Sequence, residues 1–131
     1  MFSDVYHVGY LTDDLDAAKA FYRDTLGATV LLESGNAESG SKMAFLQVGG
    51  TEVELIEPAD KARLGGQTGL IYDHIGYTVD DLDAAIAQLR ARGVGFATDA
   101  PRTNPAGARL IYLDAKDTLG ARIHLTQPPP R

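Results

Sequence analysis

The chain has no cysteine, which removes disulfides, thiolate metal sites and cysteine nucleophiles together. Any metal it holds must use histidine, carboxylate or water, and only three histidines occur among 131 residues. Basic residues are few and scattered. With 12 Lys and Arg against 18 Asp and Glu the net charge is −6, which opposes contact with nucleic acid. No apolar run approaches the roughly 18 residues of a membrane span. No basic segment precedes an apolar one in the manner of a signal peptide, so a cytoplasmic location is expected. A 44% apolar content is ordinary for a globular chain, and the length suits one domain.

What is present is a repeat. The segment His7-Val8-Gly9-Tyr10-Leu11-Thr12-Asp13-Asp14-Leu15-Asp16-Ala17-Ala18 returns as His74-Ile75-Gly76-Tyr77-Thr78-Val79-Asp80-Asp81-Leu82-Asp83-Ala84-Ala85, 67 residues later, with nine of twelve positions identical. Val53-Glu54-Leu55-Ile56-Glu57-Pro58 likewise matches Ile123-His124-Leu125-Thr126-Gln127-Pro128. A duplicated unit this small rarely buries its apolar face alone, so the copies should share an interface.

Each half reads as strand, helix and three strands. Tyr6 to Leu11 carries the aromatic and β-branched pattern of a strand. Thr12 or Asp13 is the expected helix cap, and Leu15, Ala18, Phe21, Tyr22 and Leu26 form an apolar stripe at helical spacing up to the stop at Gly27. Strands are expected over 28–33, 43–48 and 52–57, with a turn at Gly49-Gly50. The second half should hold a strand over 73–79, a helix from about Asp81 to Arg92, and strands near 94–98, 109–113 and 121–126. The fold class is therefore α+β, a single domain over 1–131 made of two βαβββ modules, about 1–60 and 70–131. Stretches 34–41 and 99–107 are loops long enough to act as lids, and 59–70 is the linker.

Strand alternation assigns faces. Tyr6, Val8 and Tyr10 belong against the helix, which leaves His7 and Gly9 on the other face. His74 is equivalent. Val53 and Leu55 pack inward, so Glu54 points away from the helix, as does His124 between Ile123 and Leu125. All three histidines and Glu54 thus hold equivalent repeat positions. Pseudo-two-fold symmetry would bring His7, Glu54, His74 and His124 to one divalent ion, with Zn, Co, Ni, Mn or Fe suited to such donors. Imidazole must be neutral to coordinate, so affinity should fall in acid.

At these residues the chain resembles the vicinal oxygen chelate superfamily, the glyoxalase, bleomycin-resistance and extradiol dioxygenase group. Phe21-Tyr22-Arg23-Asp24, Asp73-His74-Ile75-Gly76, Gly107-Ala108-Arg109 and His124-Leu125-Thr126-Gln127 are most similar to methylmalonyl-CoA epimerases. The resemblance implies a half-barrel of paired modules around one divalent metal, with His7, Glu54, His74 and His124 as ligands. It also implies a small-molecule substrate and a homodimer. One departure is His124, where epimerases and glyoxalase I typically carry a glutamate associated with proton transfer.

The implied chemistry is stabilisation of an enolate-like oxyanion, by an epimerase or isomerase of a methylmalonyl-CoA-like substrate or a glyoxalase-like lyase. Glu54 is the expected base and His124 a ligand or the opposing acid. Arg109 and Arg122 are candidates for anchoring a substrate carboxylate or phosphate. Tyr72, Tyr77 and Tyr112 read as core or rim aromatics. The alternatives are an Fe(II) ring-cleaving dioxygenase and a non-enzymatic protein of the bleomycin-resistance type that binds a small molecule.

Overall fold

The computed structural model describes residues 1–35, 40–104 and 106–130. Residues 36–39 of the first expected lid, Pro105 of the second and the terminal Arg131 lie outside the described residues.

The element order is β1 (Phe2–Thr12), α1 (Leu15–Ala20), a π-helical turn (Phe21–Thr25), β2 (Thr29–Gly35), β3 (Lys42–Val48), β4 (Thr51–Glu57), β5 (Leu70–Val79), α2 (Leu82–Ala91), β6 (Arg102–Thr103), β7 (Arg109–Tyr112) and β8 (Ile123–Gln127). Contacts divide the chain into two compact units, His7–Asp73 and Met1–Tyr6 with His74–Arg131.

In the first unit the strands run in the order β2-β3-β4-β1. β1 pairs parallel with β4, and the other neighbours are antiparallel. The helix packs Leu15, Ala18 and Tyr22 on Ala44, Leu46, Val53 and Leu55. Leu46 and Leu55 are wholly buried, each contributing about 1.5–3 kcal/mol of hydrophobic stabilisation. The second unit repeats the pattern in the order β5-β8-β7-β6, with β5 parallel to β8. Its core joins Leu82, Ala85, Ile86 and Leu89 of α2 to Val79, Ile111 and Leu125. The first residues of β1 belong here, where Phe2 stacks on Tyr77 at 5.2 Å between ring centroids.

The helix starts show the repeat in hydrogen bonds. Asp14 Oδ1 accepts from Ala17 N and Asp81 Oδ1 from Ala84 N, both at 3.0 Å. Leu15 N donates to Glu57 Oε1 and Leu82 N to Gln127 Oε1, both at 2.9 Å, which ties each helix start to its module's last strand. The first cap is therefore Asp14 rather than Thr12 or Asp13. Thr12 still belongs to β1, and the Asp13 carboxylate instead accepts from Gly69 N at 2.7 Å.

The expected strand over 94–98 is reduced to a single bridge between Phe96 and Leu113. Gly95 N donates to the Asp117 carboxylate and Gly95 O accepts from Asp114 N. A turn thus satisfies backbone groups that a ladder would have used. The short strand of this region falls later, at Arg102–Thr103.

Leu119 is fully exposed and holds φ at 59°, a left-handed conformation that disfavours a branched side chain. Leu119→Asn should raise stability by about 0.5–1 kcal/mol, because asparagine tolerates that conformation and no packing is lost. A thermal melt should show a midpoint higher by roughly 2–5 °C. An unchanged or lower midpoint would mean that the turn stores no such strain.

Candidate functional site

In each unit the first and last strands lie side by side in parallel, and the repeat glycine of the first strand stands opposite a candidate ligand of the last. Gly9 is the register partner of Glu54, and Gly76 that of His124. The absent side chain opens room on the face away from the helix. His7 and His74 project onto that same face two residues before each glycine.

In the unit His7–Asp73, His7 and Glu54 are both buried, with Nε2 and Oε1 3.8 Å apart. The His7 ring lies 5.9 Å from that of Phe45. Glu52 shares the face, and burial followed by the neighbouring Glu54 charge pushes its carboxyl above the ordinary value. A buried carboxylate beside a half-buried one is costly unless a cation balances the charge.

In the other unit His74 and His124 are almost wholly buried, with ring centroids 5.5 Å apart. Tyr112 sets its ring edge-on to both, at 5.9 Å from His74 and 5.1 Å from His124. Thr126 Oγ1 lies 2.6 Å from His124 Nδ1. The Arg122 guanidinium sits 5.1 Å above the Tyr112 ring, a cation–π arrangement. Arg122 and Tyr112 also line a cavity of about 360 Å³ with Arg102, Thr98, Leu110 and Leu113.

The His124 ring lies directly over Gly76. A Cβ added there would meet Nε2 at 2.5 Å and Nδ1 at 2.8 Å, far inside van der Waals contact. Gly76→Ala should therefore displace the ring or the strand and cost about 1–3 kcal/mol, as overpacking does. Chemical denaturation would read this directly, and a loss under about 0.5 kcal/mol would show that the ring has room to move.

The structure separates the two arginines singled out in the sequence. Arg109 shares the helix-bearing face with Ile111, and its guanidinium donates to Asp83 Oδ1 at 3.1 Å. Arg122 stands on the histidine face. Tyr112, Arg102 and Thr126 were not marked out as site residues by sequence. Tyr112 could have been found from register, since it pairs with His124 across β7 and β8. Arg102 carries no motif.

His7 in one unit, and His74 and His124 in the other, are buried imidazoles that can each offer a ligand nitrogen. With the buried Glu54 carboxylate the donors are nitrogen and carboxylate oxygen without sulfur, a set that fits borderline divalent ions.

Each unit is a βαβββ module with buried histidine on the strand face away from its helix, joined by a buried carboxylate in the first, and this defines a class of α+β protein with polar, metal-compatible strand faces. The chain belongs to the glyoxalase/bleomycin resistance protein/dioxygenase superfamily, whose model matches residues 6–112. It is 31% identical to the ethylmalonyl-CoA/methylmalonyl-CoA epimerase of Cereibacter sphaeroides, over 97% of this chain and 99% of that one. The crystal structure of methylmalonyl-CoA epimerase from Mycobacterium tuberculosis matches with a TM-score of 0.87 and 31% identity, covering 98% of this chain and 90% of that one. A variant of the Streptomyces coelicolor methylmalonyl-CoA epimerase in complex with 2-nitronate-propionyl-CoA matches with a TM-score of 0.85 and 30% identity, covering 99% and 100%. The fold is glyoxalase-like, as these likenesses show. Among the described residues no helix is long and apolar enough to cross a membrane.

Proposed function

We propose that this protein is a divalent-metal-dependent epimerase of a methylmalonyl-CoA-like thioester, with His7, Glu54, His74 and His124 as the ligand set. The observation that carries the reading is the equivalence of Glu54 and His124. Both are buried, both face away from the helices, and each stands opposite the repeat glycine of its unit. The relatives named for methylmalonyl-CoA epimerisation support the choice of substrate class.

The hydrogen between a carboxylate and a thioester carbonyl is weakly acidic. A bound divalent ion would supply Lewis-acid stabilisation of negative charge developing on the substrate oxygen. Glu54 takes the proton. The C–H electron pair passes into the thioester carbonyl, the carbon becomes planar, and a proton from solvent, delivered directly or through an acid on the opposite face, inverts it. His124 stands where either a ligand or that opposing acid is needed. Arg122, with Arg102 across the same cavity, supplies positive charge for the substrate's free carboxylate or a phosphate of its carrier. Arg109 already pairs with Asp83 on the other face, which leaves it a weaker anchor.

The test is hydrogen exchange in D2O. Protein loaded in turn with Zn, Co, Ni, Mn and Fe should exchange the acyl α-hydrogen of methylmalonyl-CoA and interconvert its epimers. Absence of exchange with all five ions, for both methylmalonyl-CoA and ethylmalonyl-CoA, would overturn the proposal.

A further inference from the structure

The surroundings of the His124 ring separate its two possible roles. Gly76 forms the floor beneath it, Tyr112 stands at 5.1 Å, and Thr126 Oγ1 meets Nδ1 at 2.6 Å with both residues fully buried. A neutral imidazole has one N–H and one lone pair, and the hydrogen bond made by one nitrogen decides what the other offers. If the threonine hydroxyl donates to Nδ1, the proton sits on Nε2 and that nitrogen cannot ligate. If Nδ1–H donates to the hydroxyl, the Nε2 lone pair is available.

We infer that Thr126 is a positioning residue: it accepts the hydrogen bond from His124 Nδ1–H and so makes His124 a metal ligand through Nε2 rather than the opposing acid. The inference rests on the metal-site reading above. The repeat supplies an independent argument. Residues 124 and 126 share a face of β8 because side chains alternate, so a hydroxyl two residues after the ligand can reach its ring. The equivalent of Thr126 in the first module is Ile56, which follows Glu54. A carboxylate has two acceptor oxygens and no tautomer to fix, so no hydroxyl is needed there. The hydroxyl occurs in the module whose last-strand ligand is an imidazole. Outer-sphere partners of this kind orient a ligating histidine, and their removal typically costs about 10–100-fold in metal affinity.

The experiment compares Thr126→Val, which keeps the shape and removes the hydroxyl, with Thr126→Ser, which keeps the hydroxyl. Zn²⁺ and Co²⁺ binding to the full chain is measured at about pH 8, where imidazole is neutral. The tautomer of His124 in the metal-free protein is read from imidazole ¹⁵N NMR, and thermal melts confirm folding. Wild type should show the Nδ1–H form. The valine variant should bind at least about tenfold more weakly with a mixed tautomer, and the serine variant should stay within about threefold of wild type. Unchanged affinity in the valine variant, an equal loss in the serine variant, or an Nε2–H form in wild type would overturn the inference. If wild type binds neither ion, the metal reading itself fails, and with it the ligand role of His124. The NMR result then decides whether Thr126 sets the tautomer.

Discussion

Glu54→Gln will suppress α-hydrogen exchange on methylmalonyl-CoA by about 10²–10⁴-fold while leaving a folded, metal-competent protein. Glutamine keeps the volume of Glu54 and a carbonyl oxygen able to ligate, but it cannot take up the substrate's proton. The loss corresponds to roughly 3–5 kcal/mol of barrier. Folding should not suffer. Glu54 is buried beside Glu52, whose carboxyl is held above its ordinary value of 4.5 by burial and then by the Glu54 charge. A carboxyl raised in the folded state weakens the fold above its ordinary value and has no such effect below it. Removing the Glu54 charge relieves the smaller part of that penalty at neutral pH and leaves the burial part, so the melt should be unchanged or slightly higher at pH 7 and show no gain near pH 3. Exchange that stays within tenfold of wild type would remove Glu54 from the role of base.

His7→Ala and His74→Ala, one from each module, should each abolish stoichiometric metal binding. Each change deletes a candidate ligand rather than an outer-sphere partner, so the loss should exceed the roughly 10–100-fold that outer-sphere changes cost. Elemental analysis of purified protein would show about a single ion per chain in wild type and little in either variant, if the four-residue site is correct. The two variants must agree. Retention of metal in one of them would place the ion on one module alone and end the symmetric site. Glu54→Gln serves as the contrast, since it should keep the metal and lose the exchange. Truncating a buried imidazole opens a void, so folding is verified alongside. A folded, metal-free His74→Ala protein is the informative result.

The sequence by itself determined the duplication, the fold class and the face on which each candidate ligand stands. Repeat positions survive in the residues, and a strand's alternation is a local property with a period of two. Burial of Val53 and Leu55 with the helix leaves no choice for Glu54, and Leu125 does the same for His124. Both helices were legible from their apolar stripes and following glycines, which are local signals, but the first α-helix stops at Ala20, passes into a π-helical turn and leaves Phe21 and Leu26 of the expected stripe exposed.

Only the tertiary structure decided what depends on distant partners. Asp14 rather than Thr12 or Asp13 caps the first helix because β1 extends through Thr12 and Gly69, far along the chain, engages Asp13. The segment after Gly93 lost its strand to a turn 20 residues further on, whose Asp114 and Asp117 take the bonds of Gly95. Arg109 and Arg122 look alike in sequence, yet one pairs with Asp83 and the other lies over Tyr112 on the histidine face. Tyr112 joins the histidines through the register of β7 against β8. Alternation places Thr126 on the face of His124, but only the folded strand brings its hydroxyl to Nδ1. Register and the direction of long side chains are set by contacts between strands remote in sequence, and no local period encodes them.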